Sequence, residues 1–260
     1  MGGIPGRDAA RRALDAIPGM AGATLLGRLS DGPTNMSFRA EQGGEQYVLR
    51  LDKPGAASLG LNRHNEYRVC KLVSDAGLAP KPIYSDPGSG VYLRRFLQGR
   101  SWAVSDLENP ANPGRLARLL RKLHGLPPEG DPFDPLAAAN RYCMQVDSDE
   151  SRTLLRQAEK LMRKINEGSS RQALCHNDLL CQNILEGEPL MLIDWEYAGV
   201  GDPFFDLAVV VQHHELDAAL AIGFLDSYLG RPSVGGEKRH LALHCEFYSC
   251  LLHLWSLRVL

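Results

Sequence analysis

Short alternations of apolar and polar residues dominate the first hundred positions of the chain. One alternation runs over residues 36–40 and a second over residues 47–51, with Gly43-Gly44 between them. A period of two is typical of strands with one buried face, and two glycines between such runs are typical of a tight turn. The pattern therefore predicts a β-hairpin closed at Gly43-Gly44.

Helical spacing is rarer in this region. Residues 9–17 repeat at helical spacing after Asp8, a predicted N-cap, and residues 61–76 do so before Gly77. Two further strand-like runs flank a turn, at residues 83–84 and 91–97. The first hundred residues are thus predicted to be mostly sheet, with one central helix.

Helical spacing takes over after Gly99. Apolar faces recur over residues 116–123 and 154–165, and the apolar segment 241–260 carries enough charged residues to be a packed helix. Short strand-like pieces return at residues 173–175, 184–185 and 190–194. The change of pattern predicts an α+β protein with two domains, residues 1–98 and 99–260.

Composition excludes several classes of protein. The 29 basic and 31 acidic residues give a formal net charge of -2, so no bulk positive field is available for nucleic acid or an anionic membrane. The six cysteines form no C-x-x-C pair, and no apolar run is long enough to span a membrane. We therefore expect a cytoplasmic protein; the oligomeric state stays open.

Polar residues interrupt the apolar pattern at two places after residue 170. His176, Asp178 and Asn183 lie in CHNDLLCQNIL, and Asp194 follows in LIDWEYAG after a predicted strand-turn-strand. That hairpin would bring the two loops to the same end of a small sheet. Mg²⁺ prefers oxygen ligands, which suits Asp194 and Asn183, while Asp178 would orient a hydroxyl and accept its proton. The set indicates phosphoryl transfer, although each member alone could be a turn residue that binds its own backbone.

At these motifs the chain resembles the choline/ethanolamine kinase and aminoglycoside phosphotransferase family, over nearly its whole length. HNDLLCQN is similar to the family's H-x-D-x-x-x-x-N catalytic loop, and IDWEYAGVGDPFFDLA to its metal-binding D-x-E segment and continuation. The resemblance implies a bilobal protein-kinase-like fold, with a small N-terminal antiparallel sheet lobe that binds nucleotide and a larger, mostly helical C-terminal lobe. It also implies a kinase that uses ATP and Mg²⁺.

In the C-terminal lobe, the resemblance assigns Asp178 as the catalytic base and His176 as the residue that braces its loop. Asn183 and Asp194 are the implied Mg²⁺ ligands. Glu196 is the implied contributor to a second metal or to the acceptor site.

In the N-terminal lobe, LSDGPTNMSF resembles the family's nucleotide loop, so Thr34 and Asn35 are expected to contact phosphate. Arg50 stands where most kinases carry a phosphate-binding Lys, a replacement that choline-kinase-like members share, and Glu66 is its implied ion-pair partner. The segment that follows resembles the inter-lobe hinge. The residues expected beside the adenine ring are Phe96 and Leu97.

The acceptor implied by the resemblance is a small cationic alcohol of the choline or ethanolamine type. Aromatic faces attract such a cation, and the residues expected to provide them are Trp195, Tyr197, Tyr248 and Trp255. Other acceptors and functions remain open: thiamine, an aminoglycoside, nucleotide binding without catalysis in a pseudokinase, or metal-dependent hydrolysis.

Overall fold

The predicted hairpin is part of a five-stranded antiparallel sheet in the computed structural model of the protein, which describes residues 6–54, 60–168 and 171–259. The strands are β1 (Thr24–Asp31), β2 (Asn35–Gln42), β3 (Glu45–Asp52), β4 (Pro82–Asp86) and β5 (Val91–Arg95). Their order across the sheet is β1-β2-β3-β5-β4. Gly43 and Gly44 connect β2 to β3 with φ angles of 60° and 79°, in the left-handed region that a tight hairpin turn requires.

The chain divides into two compact units, one ending at Gly99 and the other beginning at Arg100. In the first unit the sheet is accompanied by α1 (Arg7–Ala16) and α2 (Arg63–Asp75). α1 buries Ala10 and Leu14 in a core that also contains Phe38 and Leu49 of the sheet. The burial of this apolar face against the sheet stabilises α1, which is too short to be stable alone.

The ends of these two helices test the predicted caps. α1 begins after Gly6, so the predicted N-cap Asp8 is wrong; Asp8 instead lies in the first turn, where the helix dipole favours a negative charge. The N-cap of α2 is Asn62, whose side chain accepts from two backbone amides of the first turn. Beyond α2, Gly77 has a φ of 71°, as expected of a glycine that ends a helix.

The second unit is mostly helical. Its helices are α3 (Asn112–His124), α4 (Pro135–Val146), α5 (Asp149–Asn166), α6 (Pro203–His213), α7 (Ala218–Leu229) and α8 (Gly235–Val259). α8 packs against α4, α5 and α6, and α3 packs against α7. None of the helices in the described part of the chain combines the length and apolar character needed to cross a membrane.

Four very short strands and a 3-10 helix lie between α5 and α6 of this unit. The strands are β6 (Ala173–Cys175), β7 (Ile184–Leu185), β8 (Met191–Leu192) and β9 (Gly199–Gly201), and the 3-10 helix spans Cys181–Asn183. The apolar pattern predicts β6, β7 and β8 but neither β9 nor α4. β9 contains two glycines, and α4 is rich in alanine, so neither has a strong periodic signal.

Candidate active site

Backbone pairing joins the two polar loops of the second unit. β6 pairs with β9 and β7 pairs with β8, so residues 173–201 form one hairpin inside another. The amide of Ile193 donates to the carbonyl oxygen of Asn183 at 3.0 Å. Asn177 Nδ2 donates to the carbonyl oxygen of Tyr197, also at 3.0 Å. The two segments predicted to carry the chemistry therefore lie side by side.

The side chain of Asn183 is fixed by Asp178. Asn183 Nδ2 donates to the backbone oxygen of Asp178 at 2.9 Å and to its Oδ2 at 3.0 Å. Asn183 is buried, and its position at the end of a 3-10 turn directs it towards Asp178. These bonds use the amide nitrogen and leave the amide oxygen Oδ1 available for a ligand. An amide oxygen is a suitable ligand for a hard cation.

Asp194 has a backbone conformation that is uncommon for a residue with a side chain. Its φ is 66°, and Asn177, in the neighbouring loop, has a φ of 64°. Asp and Asn are the residues that tolerate this left-handed region best, and such residues cluster at functional sites. Two residues with positive φ in adjacent loops indicate that the strand pairing around them holds both loops in an unfavourable backbone conformation.

Negative charge is concentrated around Asp178. Burial raises the pKa of Asp178 well above its ordinary value, and the nearby charges of Asp194 and Glu196 raise it further. Like-charged carboxylates held close together are destabilised unless a cation neutralises them. Carboxylate and amide oxygens are ligands that suit Mg²⁺. The roles of Asn183, Asp194 and Glu196 as Mg²⁺ ligands stay a prediction.

His176 has the geometry of a brace. It is completely buried, and its Nε2 lies 3.0 Å from the carbonyl oxygen of Ile193, to which it must donate. Burial lowers its pKa, so the ring is neutral. The ring also packs against Trp195 at 4.5 Å between centroids. His176 thus links the two loops without being placed to exchange protons.

Asp206 of α6 is a functional residue that the motif analysis did not single out. It is fully buried, and its carboxylate accepts from the amides of His176 at 2.9 Å and Asn177 at 2.7 Å. Its Oδ2 also lies 3.0 Å from His124 Nε2. An aspartate within the apolar run PFFDLAVVV was the available signal, because a buried charge requires partners.

Aromatic side chains from three segments meet beside these loops. The hydroxyl groups of Tyr197 and of Tyr142, on α4, lie within hydrogen-bonding reach of each other. Tyr142 lies edge-on to Trp255 at 5.3 Å between centroids. Tyr248 is hydrogen-bonded to His213 at 2.7 Å. Tyr142 is a new member of the predicted aromatic set, contributed by a helix that has no strong periodic signal in the sequence.

Trp195 differs from the other three predicted aromatic residues. Only 2% of it is exposed, and its Nε1 donates to the carbonyl oxygen of Leu192 at 3.1 Å. Together with the contact to His176, this places the ring in the packing beneath the loops. A direct contact between Trp195 and an acceptor stays a prediction that this placement does not favour.

In the first unit, Arg50 and Glu66 form the predicted ion pair in bidentate form. Arg50 Nη1 and Nη2 lie 2.5 and 2.7 Å from the two carboxylate oxygens of Glu66. A second cation, Arg63, donates to Glu66 at 2.8 Å and to Asp52 at 2.7 Å. Burial alone would raise the pKa of Glu66, but the charges of Arg50 and Arg63 outweigh it and hold the pKa below its ordinary value. The pair is therefore part of a buried network of four charged groups.

The other predicted nucleotide contacts lie at the ends of strands. Thr34 and Asn35 are buried where β1 turns into β2, and Asn35 Nδ2 donates to Thr34 Oγ1 at 3.0 Å. Phe96 and Leu97 are half-buried just after β5 ends, and the guanidinium of Arg39 lies 4.3 Å from the Phe96 ring centroid. Their contacts with a nucleotide stay predictions.

Histidine and acidic side chains also come together at the start of α6. Asp202 Oδ2 lies 2.7 Å from His240 Nε2 and 3.1 Å from His244 Nε2. The three donors are close enough for one ion, but His244 Nδ1 is buried without a hydrogen-bond partner. A metal on Nε2 would move the proton to Nδ1, where no described group accepts it. The cluster is better suited to hydrogen bonding between α6 and α8 than to holding a metal.

Comparison with known proteins agrees with a phosphate-transferring enzyme of kinase-like fold. A model of the phosphotransferase enzyme family known as APH matches residues 26–241. The match covers most of the sequence, so the chain belongs to this phosphotransferase family. This confirms the kinase and the kinase-like α+β fold predicted from the sequence.

Individual relatives place the chain among the choline-kinase-like members. Protein LicA of Haemophilus influenzae is 28% identical over 241 residues, covering 86% of this chain and 89% of LicA. A solved choline/ethanolamine kinase family protein from Mesorhizobium loti is 27% identical with a TM-score of 0.79, covering 95% of this chain and 84% of the other. The solved choline kinase LicA from Streptococcus pneumoniae, with a TM-score of 0.76 at 22% identity and coverage of 90% and 86%, supports the fold.

Proposed function

We propose that the protein transfers the γ-phosphoryl group of ATP to the hydroxyl of a small cationic alcohol of the choline or ethanolamine type. The observation that carries the proposal is the fixed arrangement of Asp178 and Asn183 beside the loop of Asp194. The similarity to a choline/ethanolamine kinase family protein supports this acceptor class. Transfer of a phosphoryl group needs alignment and charge neutralisation more than covalent chemistry, and this arrangement offers both.

Asn183 Oδ1 and Asp194 would hold Mg²⁺, and Glu196 would contribute to a second ion. When bound, Mg²⁺ neutralises phosphate charge and orients the triphosphate. The residues fit because the loops bring several carboxylates and an amide oxygen together. The pKa of Asp178 is raised first by burial and then by the charges of Asp194 and Glu196.

Asp178 would orient the acceptor hydroxyl and take its proton as the oxygen–phosphorus bond forms. Its Oδ2 already accepts from Asn183, so Oδ1 is the atom proposed to receive the proton. The ADP oxygen keeps the electrons of the broken bond. Because a carboxylate is a weak base, the proton moves late, and positioning supplies most of the rate.

In the first unit, Arg50 is proposed to bind the α- and β-phosphates. Its bidentate pair with Glu66 fixes the guanidinium plane, and a permanent cation in a fixed position binds phosphate well. Thr34 and Asn35 would add contacts to phosphate. The adenine ring would lie beside Phe96 and Leu97.

The proposal is tested by measuring ADP formation with purified protein, Mg²⁺-ATP and a panel of choline, ethanolamine, thiamine and an aminoglycoside. Phosphorylated product is identified by mass spectrometry. We expect product with choline or ethanolamine, no product with the other two acceptors, and no ADP formation after Mg²⁺ is removed with a chelator.

Other outcomes assign other functions. ADP formation without any phosphorylated acceptor would indicate a hydrolase, and nucleotide binding without ADP formation would indicate a pseudokinase. Product with thiamine or an aminoglycoside alone would keep the phosphotransferase but overturn the proposed acceptor.

A further inference from the structure

Arg258 places a positive charge on the aromatic cluster of the second unit. Its guanidinium carbon lies 3.9 Å from the ring centroid of Trp255 and 5.8 Å from that of Tyr142. It makes no hydrogen bond or ion pair with any described residue, and its Nε is buried without a partner. The stacking on Trp255 is therefore its main interaction, at a distance typical of a cation-π contact.

The same cluster is continuous with the catalytic loops. The hydroxyl of Tyr142, under the guanidinium, lies within hydrogen-bonding reach of the Tyr197 hydroxyl. Asn177, the neighbour of Asp178, donates to the carbonyl oxygen of Tyr197. Burial is the main cause of the raised pKa values of Tyr142 and Tyr197, and the charge of Asp178 adds to both, in agreement with this proximity. An alcohol with its hydroxyl at Asp178 would therefore extend along this aromatic wall.

The two ammonium types in the proposed acceptor class need different partners. A quaternary ammonium has no N–H group and is bound chiefly by aromatic faces, whereas a primary ammonium has three N–H donors and is bound by oxygen acceptors. The face of Trp255 is already covered by Arg258, whereas the hydroxyl oxygens of Tyr142 and Tyr197 in the same cluster can accept from an N–H group. The site thus offers better partners to a primary ammonium.

We propose that Arg258 is a specificity-determining residue that covers the cation-binding face of Trp255 and makes the site prefer primary-ammonium acceptors such as ethanolamine over quaternary ones such as choline. This inference rests on the proposed function. It concerns only the choice between the two ammonium types.

The test is the ratio of kcat/KM for choline to kcat/KM for ethanolamine in the wild type, in Arg258→Met and in a control. Methionine keeps much of the apolar stem but removes the charge. We expect Arg258→Met to raise the ratio about 2- to 30-fold, the range that one cation-π contact corresponds to. Arg239→Met is the control, because Arg239 is an exposed arginine of the same helix and should leave the ratio unchanged.

Two further measurements test whether Arg258 acts by occupying the face of the Trp255 ring or in another way. Tetramethylammonium should inhibit Arg258→Met more strongly than the wild type, whereas Arg258→Lys, which keeps a cation, should resemble the wild type. An unchanged ratio in Arg258→Met, or an equal gain for both acceptors, would overturn the inference while leaving the kinase in place. Absence of phosphorylated product with both acceptors in every variant would instead overturn the proposed function.

Discussion

Buried charge is arranged in opposite ways in the two units of the molecule. In the first unit, Glu66 is held between Arg50 and Arg63, and its pKa is lowered although burial opposes ionisation. In the second unit, Asp178 lies near Asp194 and Glu196, and burial, followed by these like charges, raises its pKa. In a network of opposite charges each charge is already compensated within the protein, whereas carboxylates held close together are stabilised only when a cation binds. The difference supports the roles proposed above: Glu66 positions Arg50, and the loops of Asp178 and Asp194 bind a cation.

The largest expected effect is on catalysis, in the crowded region. Asp178→Asn should lower kcat by about 10²- to 10⁴-fold, because it removes the group proposed to orient the hydroxyl and accept its proton. Removing one of several like charges should leave the stability of the metal-free protein unchanged or raise it. Steady-state kinetics and urea unfolding measure the two effects. Asp149→Asn, at an exposed position, is the matched control.

Two results for Asp178→Asn would contradict the contrast drawn between the two units. Full turnover in Asp178→Asn would remove its assigned role. A large loss of stability would show that the Asp178 charge is neutralised within the protein, contrary to the crowding described above.

The next largest effect is expected on stability, in the neutralised region. Glu66→Gln should lower the free energy of unfolding by about 3–5 kcal/mol, because Arg50 and Arg63 would lose the charge that compensates them. It should also raise the KM for ATP if Arg50 binds phosphate. The control is Glu45→Gln, since Glu45 pairs with Arg95 at the surface, where an ion pair contributes about 0–1 kcal/mol. Equal losses in both variants would show that burial does not matter here.

A smaller loss of stability is expected where a neutral amide replaces the Asp206 carboxylate, which binds the backbone of the loop proposed to be catalytic. Asp206→Asn should lower the free energy of unfolding by about 2–3 kcal/mol, because the amides of His176 and Asn177 lose a charged acceptor. The catalytic loop should also become less ordered, which hydrogen exchange at residues 176–178 measures. Unchanged exchange would mean that the strand pairing alone fixes the loop.

The smallest effect is the dependence of stability on acid. Because the folded pKa of Glu66 lies below its ordinary value of 4.5, the stabilisation it provides is complete above that pH and is lost as the pH falls further. The difference in unfolding free energy between the wild type and Glu66→Gln should therefore be constant above about pH 4.5 and shrink below it. A difference that grows in acid would contradict the lowered pKa.

Much of the fold is predictable because it depends on local pattern. The hairpin at Gly43-Gly44 has a period of two and a turn that requires positive φ angles, and both are visible in the sequence. The face of α5 over residues 154–165 is equally visible. By contrast, α4 is rich in alanine and lacks a clear apolar stripe, and its contribution of Tyr142 to the aromatic cluster has no local signal.

The sequence by itself determined the order of the motifs, which indicated the family. It also identified Asp178, Asn183 and Asp194 as candidate site residues, because residue types and their spacing within a loop are local properties. Only the tertiary structure decided what those residues face. Asp206 reaches a loop some thirty positions earlier, and Arg258 covers a ring that meets Tyr142 of another helix. Such contacts depend on how distant elements pack, and the charge and burial they produce set both the pKa values and the partners that a site offers.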